Sequence, residues 1–203
     1  MEALRLSPPK NRFRTPSGKI EIFSKTIDSF NYEDCPGHPT WIEPQEWLGS
    51  SLTEKFPIQL ISGQPANRLH SQLDNGTHSR KSKVKGREAV TLNSKDAIER
   101  GIIEGDIVEI FNDRGRCLAG ALISEEVMPN VAFLPTGAWY HPIDGDSEGR
   151  FCNHGNPNVL TRDFGTSKLA QGPIAHSTLV EIKKRTKPLE PISIFNPPII
   201  ENN

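Results

Sequence analysis

Six short apolar runs, each broken off by a polar or Gly/Pro-rich stretch, constrain the fold of this chain more than any other feature: Phe56–Ser62, Ala89–Asn93, Ile107–Phe111, Cys117–Ile123, Val131–Leu134 and Thr178–Ile182. Each reads as a β-strand. The Asn112-Asp-Arg-Gly115 link between the third and fourth suits a hairpin turn, so those two should pair antiparallel. Lys95–Arg100 reads as a short helix that Asn93 or Ser94 can cap and that Gly101 closes in the left-handed conformation, with a tight turn following at Ile102–Asp106. Strands that mix a hairpin with longer crossings, and only one or two helical turns, predict a mainly β fold: a small closed barrel rather than a doubly wound sheet.

The rest of the chain has a different texture. Residues 1–55 carry short apolar pieces separated by Pro8-Pro9, Pro36-Gly37, Pro39 and Pro44, and read as an extended lead-in. Within it, Thr15–Phe23 predicts a turn entering a strand, since Ile20 and Ile22 alternate with Lys19 and Glu21. Ser24–Phe30 suits a short helix, and Trp41 and Trp47 read as anchors rather than stacking platforms. The compact domain is expected over 56–184, followed by an extended Pro-rich tail over 185–203 that docks, if at all, through Ile194, Phe195, Ile199 and Ile200.

Charge and composition exclude several classes of function. With 24 Lys+Arg against 25 Asp+Glu the net charge is −1, so the chain as a whole has no electrostatic drive toward nucleic acid or an anionic membrane. Any anion site must be local. No apolar run approaches the roughly 18 residues that span a bilayer. The three cysteines, Cys35, Cys117 and Cys152, show neither Cys-x-x-Cys spacing nor a disulfide framework, which suits a reduced setting.

Two polar segments could carry chemistry. Ser62–Leu73 follows the first strand and offers the planar fork of Arg68, the near-neutral ring of His70, and the small donors and acceptors of Ser71 and Gln72, which suit a phosphate or a heterocycle edge. Between Leu134 and Thr178 lie some forty residues with almost no apolar periodicity, entered by Trp139 and Tyr140; a loop that long is usually functional or disordered. There, Asn153, Asn156 and Asn158 present paired donors and acceptors that could read a purine or pterin edge, beside Gly155 and Pro157, and Gly165–Gly172 adds Lys168 and Gln171. An ordinary surface loop would have similar composition.

Cys152-x-His154 is only half of a tetrahedral metal site, so no metal ligand is assigned. The basic run Arg80–Arg87 has the composition of a solvated face, and also of a stretch that could line the approach of a ligand carrying several phosphates. No Gly-x-Ser-x-Gly elbow is present, and no catalytic residue is assigned.

Taken in order, Thr15-Pro-Ser-Gly-Lys-Ile-Glu21, Arg68-Leu-His-Ser-Gln72, Asp96-Ala-x3-Arg-Gly-Ile-x2-Gly-Asp-x-Val108, Phe111-Asn-Asp-Arg-Gly115, His154-Gly-Asn-Pro-Asn-Val-Leu-Thr161 and Gly165-Thr-Ser-Lys-Leu-Ala-Gln171 resemble the C-terminal part of the DMSO reductase family of molybdoenzymes, nearest its dimethyl sulfoxide, trimethylamine N-oxide and biotin sulfoxide branch. The resemblance implies a six-stranded double-psi β-barrel that binds molybdopterin dinucleotide and closes one side of a bis(molybdopterin guanine dinucleotide) cofactor. It implies that Gln64, Pro65, Arg68, His70, Ser71 and Gln72 meet one pterin dinucleotide, with Asn156, Asn158 and Gln171 supplying amide contacts. The ligand to molybdenum and the substrate funnel would lie in other domains, so this chain alone should not turn over an S-oxide or N-oxide. Ser94 and Ala89 stand where the family often has Pro. The alternative is a stand-alone, non-catalytic cofactor-binding module or the relic of a split gene.

Overall fold

The computed structural model describes residues 2–143, 145–146 and 148–197. The chain falls into two compact units, one built from Met1–Glu43 with Phe164–Pro173, the other from Pro44–Asp163 with Ile174–Asn203.

The second unit contains β1 (Ile58–Ile61), β2 (Ala89–Leu92), β3 (Ile107–Phe111), β4 (Arg116–Ile123), β5 (Val131–Phe133), β6 (Phe151–Cys152) and β7 (Thr178–Lys184). Six of them run in the order β2-β5-β1-β7-β3-β4, and β2 pairs with β4 to close the ring. The expected closed six-stranded barrel is therefore present. Two pairings in the ring are parallel, β1 with β5 and β2 with β4, and the other four are antiparallel. The β3–β4 hairpin forms as predicted, with Phe111 opposite Arg116 and Ile107 opposite Gly120. Its turn is held by Asn112, whose backbone N–H donates to Gly115 O at 3.0 Å while its Oδ1 accepts from Arg114 N.

The long β4 has room for three neighbours. Its second half pairs with β2, and its first two residues pair with β6, a short strand outside the ring. That strand escaped the sequence reading because two residues carry no alternation. Alternate side chains turn inward, as a pleated strand requires: Ile58 and Leu60, Val90 and Leu92, Val108 and Ile110, Val180 and Ile182 meet in one core.

The helix of the second unit that was expected near residue 95 is present at Ser94–Glu99. Asn93, not Ser94, is its cap, its Oδ1 accepting from Lys95 N at 3.0 Å. Gly101 leaves it at φ +59°, as expected. Another helix, Thr77–Lys81, lies inside the polar stretch after β1 and had no apolar face to announce it.

In the first unit Ser24 caps a short helix, Lys25–Asp28, where one was expected. The turn at Thr15–Gly18 is present, closed by Gly18 N donating to Thr15 O at 2.9 Å, but Lys19–Phe23 forms no strand. The alternation there finds no ladder partner among the described residues, and a strand without a neighbour leaves its backbone groups unpaired. Within this unit Gln171 Nε2 donates to Ser167 O at 2.8 Å, and Lys168 N donates to Asp34 Oδ2 at 3.0 Å.

Candidate functional site

Because β1 and β5 are parallel neighbours, the segments that follow them leave the same end of the barrel. They are stitched together at once, Leu134 N donating to Ile61 O at 3.0 Å and Thr136 N to Gly63 O at 2.9 Å. The segment after β6 joins them. Together they line a cavity of about 380 Å³ formed by His70 and Ser71, by Thr136–Tyr140, and by Asn156 and Asn158. The two polar stretches singled out in the sequence, more than eighty residues apart, thus meet at one place.

Tight backbone geometry presents the first of them. Gln72 N donates to Leu69 O at 2.9 Å, and His70 is held at φ +50°, so the residues at the tip of this turn face outward. Gly137 allows the opposing segment to approach: at φ +89°, a Cβ there would sit 2.0 Å from His70 O. Only glycine permits that contact.

Each expected residue has a definite place. His70 and Ser71 line the cavity, and Gln64 Nε2 lies 3.2 Å from His70 Nδ1. Pro65 is buried and Gln72 exposed. Asn156 lines the cavity but commits its amide to the loop, Nδ2 donating to Ala138 O at 2.8 Å and Oδ1 accepting from Asn158 N at 2.9 Å. Asn158 is exposed at the cavity, and its side-chain amide makes no hydrogen bond among the described residues. Gln171 belongs to the first unit.

Arg68, whose fork was expected to meet a ligand, is spent inside the protein. Its side chain is 0 % exposed, with Nη2 3.0 Å from Glu88 Oε2 and Nε 3.5 Å from Asp74 Oδ1. The same guanidinium donates from Nε to His70 O at 3.0 Å and from Nη2 to Thr136 O at 2.9 Å, one carbonyl from each of two cavity segments. Lys83 completes the cluster, its Nζ 2.7 Å from Asp74 Oδ1 and 2.8 Å from Glu88 Oε2. Two cations and two carboxylates therefore balance one another under the cavity floor.

Lys83 is 1 % exposed at its side chain and Arg87 is also buried, which corrects the reading of a solvated face at these two positions, while Arg80, Lys81 and Lys85 are exposed as expected. Neither position differs in sequence character from the exposed Lys81 and Lys85. Burial pushes the Asp74 carboxyl up, but the Lys83 hydrogen bond, the Trp139 N–H and the charges of Lys83 and His154 outweigh it and hold the group below the usual carboxylate range.

Thr136, Gly137 and Ala138 belong to the lining and were missed. Only Trp139 and Tyr140 beside them had hinted at function. Trp139 is fixed at three atoms: N donates to Asp74 Oδ2 at 2.9 Å, Nε1 to Ser71 O at 2.8 Å, and its carbonyl faces His154 Nδ1 at 3.0 Å.

Among the described residues no three His, Cys, Asp or Glu side chains converge to hold a metal ion. Cys152 Sγ instead accepts from the backbone N–H of His154 at 3.4 Å. The donors present suit an organic ligand: hydroxyl, imidazole, amide and backbone groups around a glycine-lined opening. The volume lies at the small end of the roughly 300–1,000 Å³ of small-molecule sites, enough for one heterocyclic end of a dinucleotide.

Residues 58–179 match the molydopterin dinucleotide binding domain family. The chain is 48% identical over 200 residues to trimethylamine-N-oxide reductase of Salmonella typhimurium, an alignment covering 98% of this chain and 24% of that protein. It is 44% identical over 195 residues to the dimethyl sulfoxide/trimethylamine N-oxide reductase of Cereibacter sphaeroides, covering 96% and 24%. The chain thus spans about a quarter of the length of these curated relatives. Among solved structures, acetylene hydratase from Pelobacter acetylenicus shares the fold with a TM-score of 0.68 at 20% identity, over 88% of this chain and 25% of that one. No helix among the described residues is long and apolar enough to cross a membrane.

Proposed function

Since this chain belongs to the molydopterin dinucleotide binding domain family, we propose that its cavity grips one end of a molybdopterin guanine dinucleotide within a longer molybdenum oxidoreductase that reduces N-oxides or S-oxides. The observation that carries this reading is the meeting of the two polar stretches, with the segment after β5, around one polar cavity. When bound, the bis(molybdopterin guanine dinucleotide) cofactor with its molybdenum supplies two-electron oxygen-atom-transfer chemistry. This chain binds and orients.

Its residues divide that work. His70, Ser71 and Asn158 face the ligand, and Gln64, Pro65 and Gln72 shape and flank their turn. Asn156 lines the cavity while holding its own loop. Arg68 acts from behind, clamping His70 O and Thr136 O. Gln171, on the Phe164–Pro173 segment of the first unit, keeps only the amide contact that the family resemblance implies for it, and its Nε2 here donates to Ser167 O. The share of the relatives' length that the chain covers, and the exposed apolar side chains of the first unit, favour further domains of a molybdoenzyme as partners over a stand-alone module.

The test is to isolate the native protein that carries this sequence, size it on a denaturing gel, and assay the same fraction for molybdenum, for guanine nucleotide released on denaturation, and for trimethylamine N-oxide and dimethyl sulfoxide reduction with a viologen donor. A long polypeptide with metal, nucleotide and activity is expected. A 22.6 kDa species without metal would return the reading to a stand-alone module or relic. A loaded holoenzyme that reduces neither oxide would sink the substrate class alone.

A further inference from the structure

Beyond β7, and outside the stretch that matches the family, the chain returns across the barrel and is received by two buried side chains. Arg87 Nη2 donates to Glu190 O at 2.8 Å and to Asn153 Oδ1 at 2.7 Å. Asn153 Nδ2 lies 3.3 Å from Glu190 O and 3.4 Å from Pro191 O. Further on, Ser193 Oγ meets His141 Nε2 at 3.0 Å. Buried polar groups are costly to leave without partners, so a barrel that aims an arginine and an asparagine at these carbonyls has the tail's course built into it.

The strap ends on Phe195. Its ring lies 5.0 Å from the His154 ring at 85° and 5.5 Å from Trp139 at 61°, both within the range of edge-to-face aromatic packing. Arg80 Cζ and Lys83 Nζ stand 5.4 Å and 6.0 Å from the centre of the same ring. His154 is fully buried. Its Nδ1 faces the Trp139 carbonyl, which can only accept, so the proton sits on Nδ1 and Nε2 is an acceptor with no hydrogen-bond partner among the described residues. Water reaching that nitrogen would hydrate it and compete for the polar cluster beneath. An aromatic ring over the imidazole keeps the water out.

We propose that the strap Glu190–Phe195 is part of the cofactor site, and that Phe195 is a positioning residue which seals His154 and backs the Trp139 wall of the cavity. Trp139 connects the two: its indole N–H fixes Ser71 O at the cavity edge, and its carbonyl rests on the imidazole that Phe195 covers. The ligand side of this inference rests on the reading of the cavity as a pterin dinucleotide site. The sealing of His154 stands on the packing alone.

The experiment compares the native full-length protein with its Phe195→Ala and Phe195→Leu variants by two readouts. One is the rate at which diethyl pyrocarbonate, which attacks neutral imidazole nitrogen, labels the His154 peptide, read by mass spectrometry. The other is the guanine nucleotide retained per protein after gel filtration. In Phe195→Ala, His154 should be labelled roughly tenfold faster than in the parent, the mark of a lost local seal, and guanine retention should fall severalfold. Phe195→Leu, which restores apolar cover, should recover most of both, and it alone is read against the parent if the alanine variant does not fold, a leucine protein with parental labelling and retention then supporting the seal. His154 labelling unchanged by the alanine variant, or as fast in the leucine variant as in a folded alanine one, would overturn the seal. Rapid labelling with full guanine retention would overturn the positioning role and leave the cavity reading intact. A parent without guanine nucleotide in which alanine still exposes His154 would instead remove the cavity reading and keep the seal.

Discussion

Protonating His154 would add a positive charge near Lys83 at a fully buried position. Burial first, then the Lys83 charge, lower its pKa from 6.5 to about 4, while the Trp139 carbonyl and Asp74 favour the proton and His141 opposes it. An unfolded imidazole takes its proton near pH 6.5 and the native one only near pH 4, so between these values the unfolded state binds more protons. Stability therefore falls as pH falls through that window, by an amount on the order of 3 kcal/mol. Denaturant midpoints measured from pH 7.5 to 4.5 should show it, and His154→Asn, which keeps a donor for the Trp139 carbonyl, should flatten the slope. An equally steep slope in the variant would assign the effect to other groups. Asp74 acts in the same sense at lower pH, because its carboxyl is held below its ordinary range. The other sensitive residue is Gly137, where a Cβ would meet His70 O at 2.0 Å in a left-handed conformation. Gly137→Ala should cost about 1–3 kcal/mol in backbone strain before the clash is counted. It should lower the melting temperature and the retained nucleotide together; a parental melt with parental retention would show that the two segments can part freely.

The elements around the cavity are bound by charge as much as by packing. Arg68 and Asp74 follow β1, Lys83 follows the helix Thr77–Lys81, and Glu88 precedes β2, so one balanced cluster ties three consecutive pieces of chain. Removing one member strands a buried charge, which costs roughly 3–5 kcal/mol. Glu88→Gln and Lys83→Met should each destabilise the barrel on that scale in urea titrations, and the double variant should lose less than the sum. Simple additivity would mean the groups act separately. A second tie is Arg114 on the β3–β4 turn, which grips Glu46 through both carboxylate oxygens at 2.6 and 2.9 Å. Strands were legible at this scale wherever alternation continued into a paired run, as in β1, β3 and β7. Lys19–Phe23 alternates equally well and forms none, since a strand's hydrogen bonds depend on a neighbour that local sequence does not name.

At the scale of the whole molecule, the first unit leaves large apolar side chains in solvent: Ile20 is 77 % exposed, Ile22 76 % and Trp41 71 %. Trp41, expected as an anchor, leaves most of its surface in solvent. The chain produced alone should therefore bind apolar dyes and self-associate, whereas packing on the proposed further domains of a molybdoenzyme should protect Ile20, Ile22 and Trp41, read for Trp41 by slower oxidation with N-bromosuccinimide. Equal reactivity in both settings would argue against packing on further domains. The sequence by itself determined the strand alternation, the Asn112–Gly115 hairpin, a helix capped at Asn93 or Ser94 with Gly101 behind it, and the ordered motifs that carry the family likeness. The alternation, the turn and the cap are written in residues close enough to act on one another directly, and each motif is read within its own short stretch. Only the tertiary structure decided that β2 would close the ring against β4, that Lys83 and Arg87 would be buried while Lys81 and Lys85 stay in water, and that the Arg68 fork would clamp the loops from behind. A guanidinium has the same chemistry toward a phosphate as toward a carboxylate, and the groups that settle Arg68's place, Glu88 and the Thr136 carbonyl, lie 20 and 68 residues away, brought there by the barrel.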